Sequence, residues 1–177
     1  MPCPYEREGS GLMKKLWAPW RMTYIREALS GEGKDRCVLC EIGSAPPGDD
    51  EKNLVLARGK HVFVVLNRFP YNNGHLMVTP YKHTKELAEL SDDALAELLR
   101  FTQRSIDTLR RAANPDGFNI GTNLGRVAGA GIEDHLHLHV VPRWSGDTNF
   151  MPVLADVKVI SQALAETWRE LKENWQS

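Results

Sequence analysis

Apolar residues recur along this chain in two periods. Leu54–Ala57 and His61–Leu66 are short apolar runs joined by Arg58-Gly59-Lys60, and they read as a β-hairpin. Asn67–Gly74 is polar and rich in turn formers, and His75–Thr79 is a further strand that Pro80 stops. From Ser91 the period changes: Leu95, Leu98, Leu99, Ile106 and Leu109 recur at helical spacing. Ser91 suits the cap of that helix, Asp92 and Asp93 suit its positive end, and Asn114-Pro115 closes it. Phe118–Asn123 is a strand, followed by a loop punctuated by Gly121, Gly125, Gly129 and Gly131. A last helix spans roughly Gln162 to Trp175, and residues 43–53 are a loop by composition. Antiparallel strands with one long central helix and a C-terminal helix predict an α+β fold; a doubly wound parallel sheet needs more helices.

One strand breaks the apolar pattern. Residues 135–143 read His-Leu-His-Leu-His-Val-Val-Pro-Arg, and three of the six histidines fall here at every second position. In an extended strand His135, His137 and His139 share one face, while Leu136, Leu138 and Val140 share the other. The apolar row wants a core. Three neighbouring imidazoles are poor packing material, because each has two ring nitrogens to satisfy. They bind metal or they handle an anionic substrate.

The rest of the composition narrows the field. With 177 residues, 42% hydrophobic and 25% charged, the chain has the make-up of one globular domain. A net charge of −1 gives no overall pull toward nucleic acid or an anionic membrane, so affinity for phosphates must be local. No apolar run is long enough to span a bilayer, and the start lacks a signal-peptide layout, so the expected location is cytoplasmic. Residues 1–15 form an expected flexible segment. Residues 16–177 form the domain, entered by an arm with Trp17 and Trp20 that packs on the domain or on a partner subunit.

Two kinds of chemistry are open to the histidines. Cys37 and Cys40 form a Cys-x-x-Cys pair, which in a reducing compartment is more often a metal or redox motif than a structural disulfide. A structural zinc site needs about four ligands. His83 offers a third, and one member of the histidine row could be the fourth. The alternative is two buried free thiols with His83 in solvent. An imidazole can also be a nucleophile toward phosphorus, splitting a hard displacement into two easier ones. A second imidazole can then hold a phosphoryl oxygen as charge develops.

The motif His-φ-His-φ-His-φ-φ, with φ apolar, resembles that of the histidine triad superfamily of nucleotide hydrolases and transferases. The likeness runs from about Cys37 to Pro152. It takes in Asn67, Gly74-His75-Leu76-Met77-Val78 before Pro80, Asn123 with its glycine loop, and Pro142-Arg143 with Gly146-Asp147. Asn67-Arg68 and Val140-Val141-Pro142-Arg143 look most like the fragile-histidine-triad branch. Leu-Trp-Ala-Pro-Trp-Arg near the start resembles prokaryotic members, some of them diadenosine tetraphosphate phosphorylases. The resemblance implies a histidine-triad-like fold and a homodimer. It makes His137 the nucleophile that takes up a nucleoside monophosphate, and His139 a contact to phosphate oxygens. It also implies that His135 completes a structural zinc site with Cys37, Cys40 and His83. It gives Asn67 to ribose hydroxyls, Asn123 to phosphate or the leaving portion, and Val38, Leu39 and Val65 to the base.

Simpler roles stand beside these. Asn67 and Asn123 both suit turns, His75 and His61 read as structural, and Arg126 and Arg143 could steer polyphosphate or simply be solvated. The sequence departs from the family at Gly131, where many members carry a hydroxyl that assists the leaving group. Amides of the glycine loop could cradle phosphate instead. The expected function is cleavage of dinucleoside polyphosphates through a nucleotidyl-histidine, with water or phosphate as acceptor. Two rivals are a nucleotide-binding signalling or adaptor module with incidental turnover, and a hydrolase with all three histidines on one catalytic zinc. Three ligands from one strand are awkward around a single tetrahedral ion.

Overall fold

The computed structural model describes residues 37–147 and 162–176. The expected flexible start, the tryptophan arm and Cys3 lie outside the described residues, as does the end of the histidine-triad resemblance at Pro152. The elements in order are α1 (Val38–Ser44), a 3₁₀ turn (Pro47–Asp49), α2 (Asp50–Asn53), β1 (Val55–Arg58), β2 (Val62–Leu66), β3 (Leu76–Pro80), a 3₁₀ turn (Leu87–Glu89), α3 (Asp92–Ala113), β4 (Gly117–Gly121), a 3₁₀ turn (Arg126–Ala128), β5 (Leu138–Arg143) and α4 (Leu164–Asn174). The five strands form one antiparallel sheet in the order β1-β2-β3-β5-β4. The fold is α+β, as the periodicity predicts.

Both faces of the sheet centre are covered, and every residue of β2 and β3 is buried. Helix α3 packs against β2, β3 and β5. The register runs Val65↔Met77↔His139, so alternation puts these three on one face and Val64, Val78 and Leu138 on the other. The Ser91 hydroxyl caps α3 by accepting from Ala94 N–H at 3.3 Å, and Leu98, Phe101 and Leu109 are buried. Leu99, expected in the apolar stripe, is 64% exposed, because 100° per residue turns it away from the face that Leu98 shares with Phe101 and Leu109.

Three further sequence expectations need correcting. Residues 50–53, expected as loop, are helical; Pro47 suits the first position of the preceding turn, and Asp50 and Glu51 suit a helix start. β4 ends at Gly121 rather than Asn123. The ladder of β5 begins only at Leu138, so His135 and His137 precede it. Pro80, at the end of β3, has no N–H to continue the ladder. The Pro80 carbonyl accepts from His135 Nε2 at 2.8 Å instead, and Leu136 N–H turns to Thr84 O at 2.6 Å.

Helix α4 lies along the outer strand. Trp168 and Leu171 are buried in the core, Trp168 Nε1–H donates to Val55 O at 3.0 Å, and Lys172 Nζ donates to Leu56 O at 2.8 Å. Two carbonyls of β1 thus accept side-chain donors from α4. Arg111 on α3 donates to Asn174 O at 2.8 Å and holds the end of α4.

The β1–β2 turn is clamped to α3. The Glu97 carboxylate accepts from the backbone N–H groups of Lys60, His61 and Val62. A Cβ on Gly59 would lie 2.8 Å from Phe101 and 2.9 Å from Glu97, so only glycine lets the turn approach this closely. Burial pushes the Glu97 pKa up, but the three backbone N–H groups and His61 outweigh it and hold it below the usual glutamate range. The stabilisation is therefore full above the ordinary glutamate pKa and is lost as pH falls through the depressed folded value. We expect Glu97→Gln to cost about 1–2 kcal/mol in urea melts at neutral pH. The gap from wild type should shrink in melts taken on the acid side of the glutamate range.

Candidate active site and metal cluster

Each histidine of the row is buried, and each has one nitrogen committed to a partner. His135 Nε2–H donates to Pro80 O, which leaves Nδ1 as a lone pair. His137 Nδ1 lies 2.7 Å from His135 O, so the carbonyl fixes its proton on Nδ1 and Nε2 carries the lone pair. His139 Nδ1 lies 2.9 Å from His75 Nε2. The rings of His137 and His139 meet edge to face, with centroids 4.8 Å apart. Thr122 Oγ donates to His137 O at 2.8 Å and steadies the backbone of the middle residue.

Burial holds the His137 pKa below the ordinary imidazole range, against the opposing pull of the His135 carbonyl. The ring is therefore neutral near neutral pH. Burial likewise lowers His135, helped by His83 and His137 and opposed by the Pro80 carbonyl. A buried neutral ring with its lone pair exposed on one side is a nucleophile or a ligand, according to what stands in front of it.

In front of His137 and His139 is a cavity of about 500 Å³. One wall is α1, contributing Val38, Leu39 and Ile42; the floor is Val65, Met77 and the two histidines. Asn67, Arg68, Phe69 and Tyr71 form a rim, and Gly131 and Ile132 close the far side. The site expectations Val38, Leu39, Val65, Asn67, His137 and His139 are thus brought together. Asn123 is not among the lining residues; its side chain donates to Gly129 O at 3.4 Å and braces the glycine loop. Gly131 does line the cavity and brings no hydroxyl.

In front of His135 is a different group. Cys37, Cys40, His83 and His135 place four potential ligand atoms within 4.8 Å of one another. Cys37 Sγ is 3.1 Å and Cys40 Sγ 3.4 Å from His135 Nδ1; His83 Nδ1 is 3.3 Å from both Cys40 Sγ and His135 Nδ1. Tetrahedral zinc with the usual sulfur and nitrogen bond lengths requires ligand–ligand edges of roughly 3.3–3.8 Å. The set is therefore close to the size of a closed S₂N₂ site. Burial pushes the Cys40 thiol up to about 11, with Cys37 and Glu41 adding to the effect. Without a cation it holds its proton, and a metal would displace it. The arrangement speaks against three histidines on one catalytic ion, because His135 faces the cysteines while His137 and His139 face the cavity.

Sequence reasoning read His75 as structural and did not foresee its contact with His139. It is fully buried and bonded to His139. The signal was inaccessible in one dimension, since only the β3–β5 register shows that residues 75 and 139 meet. Tyr71, Phe69 and Ile132 were missed too, because loop residues carry no periodicity.

A HIT domain model matches residues 49–146, and the chain belongs to the HIT family. It is similar to a protein of Mycobacterium tuberculosis named AP-4-A phosphorylase, with 45% identity over 165 residues, 92% of this chain and 85% of that protein. An adenosine 5'-monophosphoramidase of Schizosaccharomyces pombe is 29% identical over 107 residues, covering 60% of this chain and 74% of its own. A Zn-bound histidine triad family protein from Mycobacterium smegmatis superposes with a TM-score of 0.62 at 28% identity, over 78% of this chain and 92% of that one.

Proposed function

We propose that the protein cleaves dinucleoside polyphosphates, such as diadenosine tetraphosphate, through a nucleotidyl-histidine. The observation that carries this is His137: its Nδ1 is tied to the His135 carbonyl, and its ring lines a nucleotide-sized cavity beside His139. The Nε2 lone pair attacks the α-phosphorus and forms an N–P bond. The bond from phosphorus to the bridging oxygen breaks, and that oxygen leaves with the electron pair as a nucleoside polyphosphate. An acceptor oxygen then attacks the same phosphorus and breaks the N–P bond, which restores the imidazole. Water as acceptor gives a nucleoside monophosphate; inorganic phosphate gives a nucleoside diphosphate. The relative named AP-4-A phosphorylase favours phosphate.

In this reading His139 donates to a non-bridging oxygen, Val38, Leu39 and Val65 enclose the base, and Asn67 at the rim meets the ribose. Asn123 acts through the glycine loop that it braces. Cys37, Cys40, His83 and His135 hold a structural zinc, which supplies no reacting water. Zinc on His135 would pin the backbone that presents His137. The enzyme works in the cytoplasm on free nucleotides and not on nucleic acid or membranes. It works as a homodimer, which would cover exposed apolar residues such as Leu99, Ile120 and Leu124. One observation favours the second reading, a nucleotide-binding module with slow turnover: Gly131 lines the cavity and brings no hydroxyl to assist the leaving oxygen.

Three outcomes are expected. Diadenosine tetraphosphate incubated with inorganic phosphate yields ADP and ATP, and ADP is absent when phosphate is withheld; turnover too slow to follow, with tight AMP binding, would favour the module. His137→Ala abolishes turnover, a loss of at least about 10³-fold, yet still binds AMP by calorimetry. Cys40→Ser loses bound zinc by elemental analysis and melts about 5 °C or more below wild type, whereas Cys3→Ser does neither. Equal melting temperatures for the two variants would remove the structural-zinc assignment.

A further inference from the structure

Past Asn67 the cavity reaches a polar side chain far from the histidine row. Asn53 ends α2 and lines the cavity. It is half-buried, and its side-chain amide makes no hydrogen bond to another described residue. The next residue, Leu54, has φ 61°, a left-handed conformation that leucine rarely takes. Such strain persists only where the surroundings hold it. Leu66 N–H donates to Leu54 O at 2.9 Å, and the Arg68 guanidinium donates to Lys52 O at 3.2 Å. The two neighbours of Asn67 thus grip the two neighbours of Asn53, which sets both asparagines on adjacent segments of the cavity wall. The register aligns His139, Met77, Val65 and Val55 across four strands, and three spacings of about 4.8 Å make about 14 Å. A nucleoside monophosphate with a hydrogen bond at each end is of this length. Helix α1 runs the same way, from Cys37 beside His135 to Gly43, whose carbonyl accepts from Arg58 of β1. A base lying between α1 and Val65, with its phosphate at His137 and His139, therefore turns its outer edge toward the β1 side and Asn53.

We propose that Asn53 is a specificity-determining residue that reads the outer edge of an adenine base: Oδ1 accepts from the 6-amino group and Nδ2 donates to the adjacent ring nitrogen. This rests on the nucleotide cleft proposed above. The apolar walls at Val38, Leu39 and Val65 enclose any base and do not choose among them. An amide matches the paired donor and acceptor of adenine. Turned round, it would also match a 6-oxo purine. Glu41, from the later part of α1, lines the same cavity and offers only acceptor oxygens, which suits an amino group and repels a carbonyl. A base that fills the cavity without matching Asn53 removes the amide from water and leaves it unpaired. That cost separates adenine from an analogue lacking the amino group.

The test is calorimetry of matched ligands on zinc-loaded wild type and Asn53→Leu. The ligands are AMP and purine riboside 5'-monophosphate, which lacks only the 6-amino group. Wild type should bind AMP about tenfold more tightly, the ratio that one matched hydrogen bond supplies. Asn53→Leu should bind the two within about twofold of each other. A merely structural Asn53 would weaken both ligands alike and keep their ratio at the wild-type value, and that result overturns the proposal. So does a variant that keeps this ratio but loses discrimination between AMP and 2'-deoxy-AMP, which would place Asn53 on the ribose. A wild type that binds AMP and the purine riboside equally also overturns it, and that measurement needs no variant to fold. If wild type shows the tenfold ratio but cleaves no dinucleotide, the cleavage reading fails and the base assignment stands. If it cleaves diadenosine tetraphosphate and shows no ratio, the base assignment fails and the cleavage reading stands.

Discussion

An imidazole has two nitrogens and, when neutral, one proton, and in this protein main-chain carbonyls decide where that proton sits. The Pro80 carbonyl takes the Nε2–H of His135, and the His135 carbonyl takes the Nδ1–H of His137. Two residues apart, on one short extended segment, the two rings are thereby given opposite tautomers. One turns its lone pair toward the cysteines and the other toward the cleft. The source of this alternation is Pro80, whose missing N–H ends the β3–β5 ladder and frees its carbonyl for a side chain.

The same geometry links the Cys/His cluster and the cleft through one helix. Helix α1 has Cys37 at its N-cap and Cys40 within it, and from the same turns it offers Val38, Leu39 and Ile42 to the cavity wall. Arg58 holds the other end of that helix, donating to Gly43 O at 2.7 Å and pairing with Asp50 at 2.8 Å. A helix of seven residues has little stability of its own, so its position depends on these tethers. A cation held by Cys37, Cys40, His83 and His135 would fix the wall on one side and the His135 carbonyl on the other.

How much of this was legible in the sequence follows from the range of each interaction. The strands, α3 with its Ser91 cap and α4 could be read, because period and capping are local properties. That Cys37, Cys40, His83 and His135 lie together and that His137 and His139 share one cavity matches what the family resemblance implied, whereas spacing alone left the partner of the cysteines open. The helical turns at 47–53 were hidden, since proline and acidic residues suit a loop and a helix start equally well. The partnership of His75 with His139 spans 64 positions and exists only through strand register, which no local pattern encodes. Leu99 was misplaced for a related reason: an apolar residue on a helix identifies a face only when its neighbours agree.

The indole and ammonium groups that α4 lays on β1 have a consequence for how copies of this chain can add to one another. With Val55 O and Leu56 O already accepting from α4, that flank of the sheet offers fewer backbone acceptors to an incoming strand. The opposite flank, β4, carries the exposed Ile120 and has no such cover among the described residues. The asymmetry comes from the C-terminal helix, which lies along one flank of the sheet and leaves the other bare. Among the described residues, a strand added to this sheet therefore finds bare backbone groups more readily at β4 than at β1.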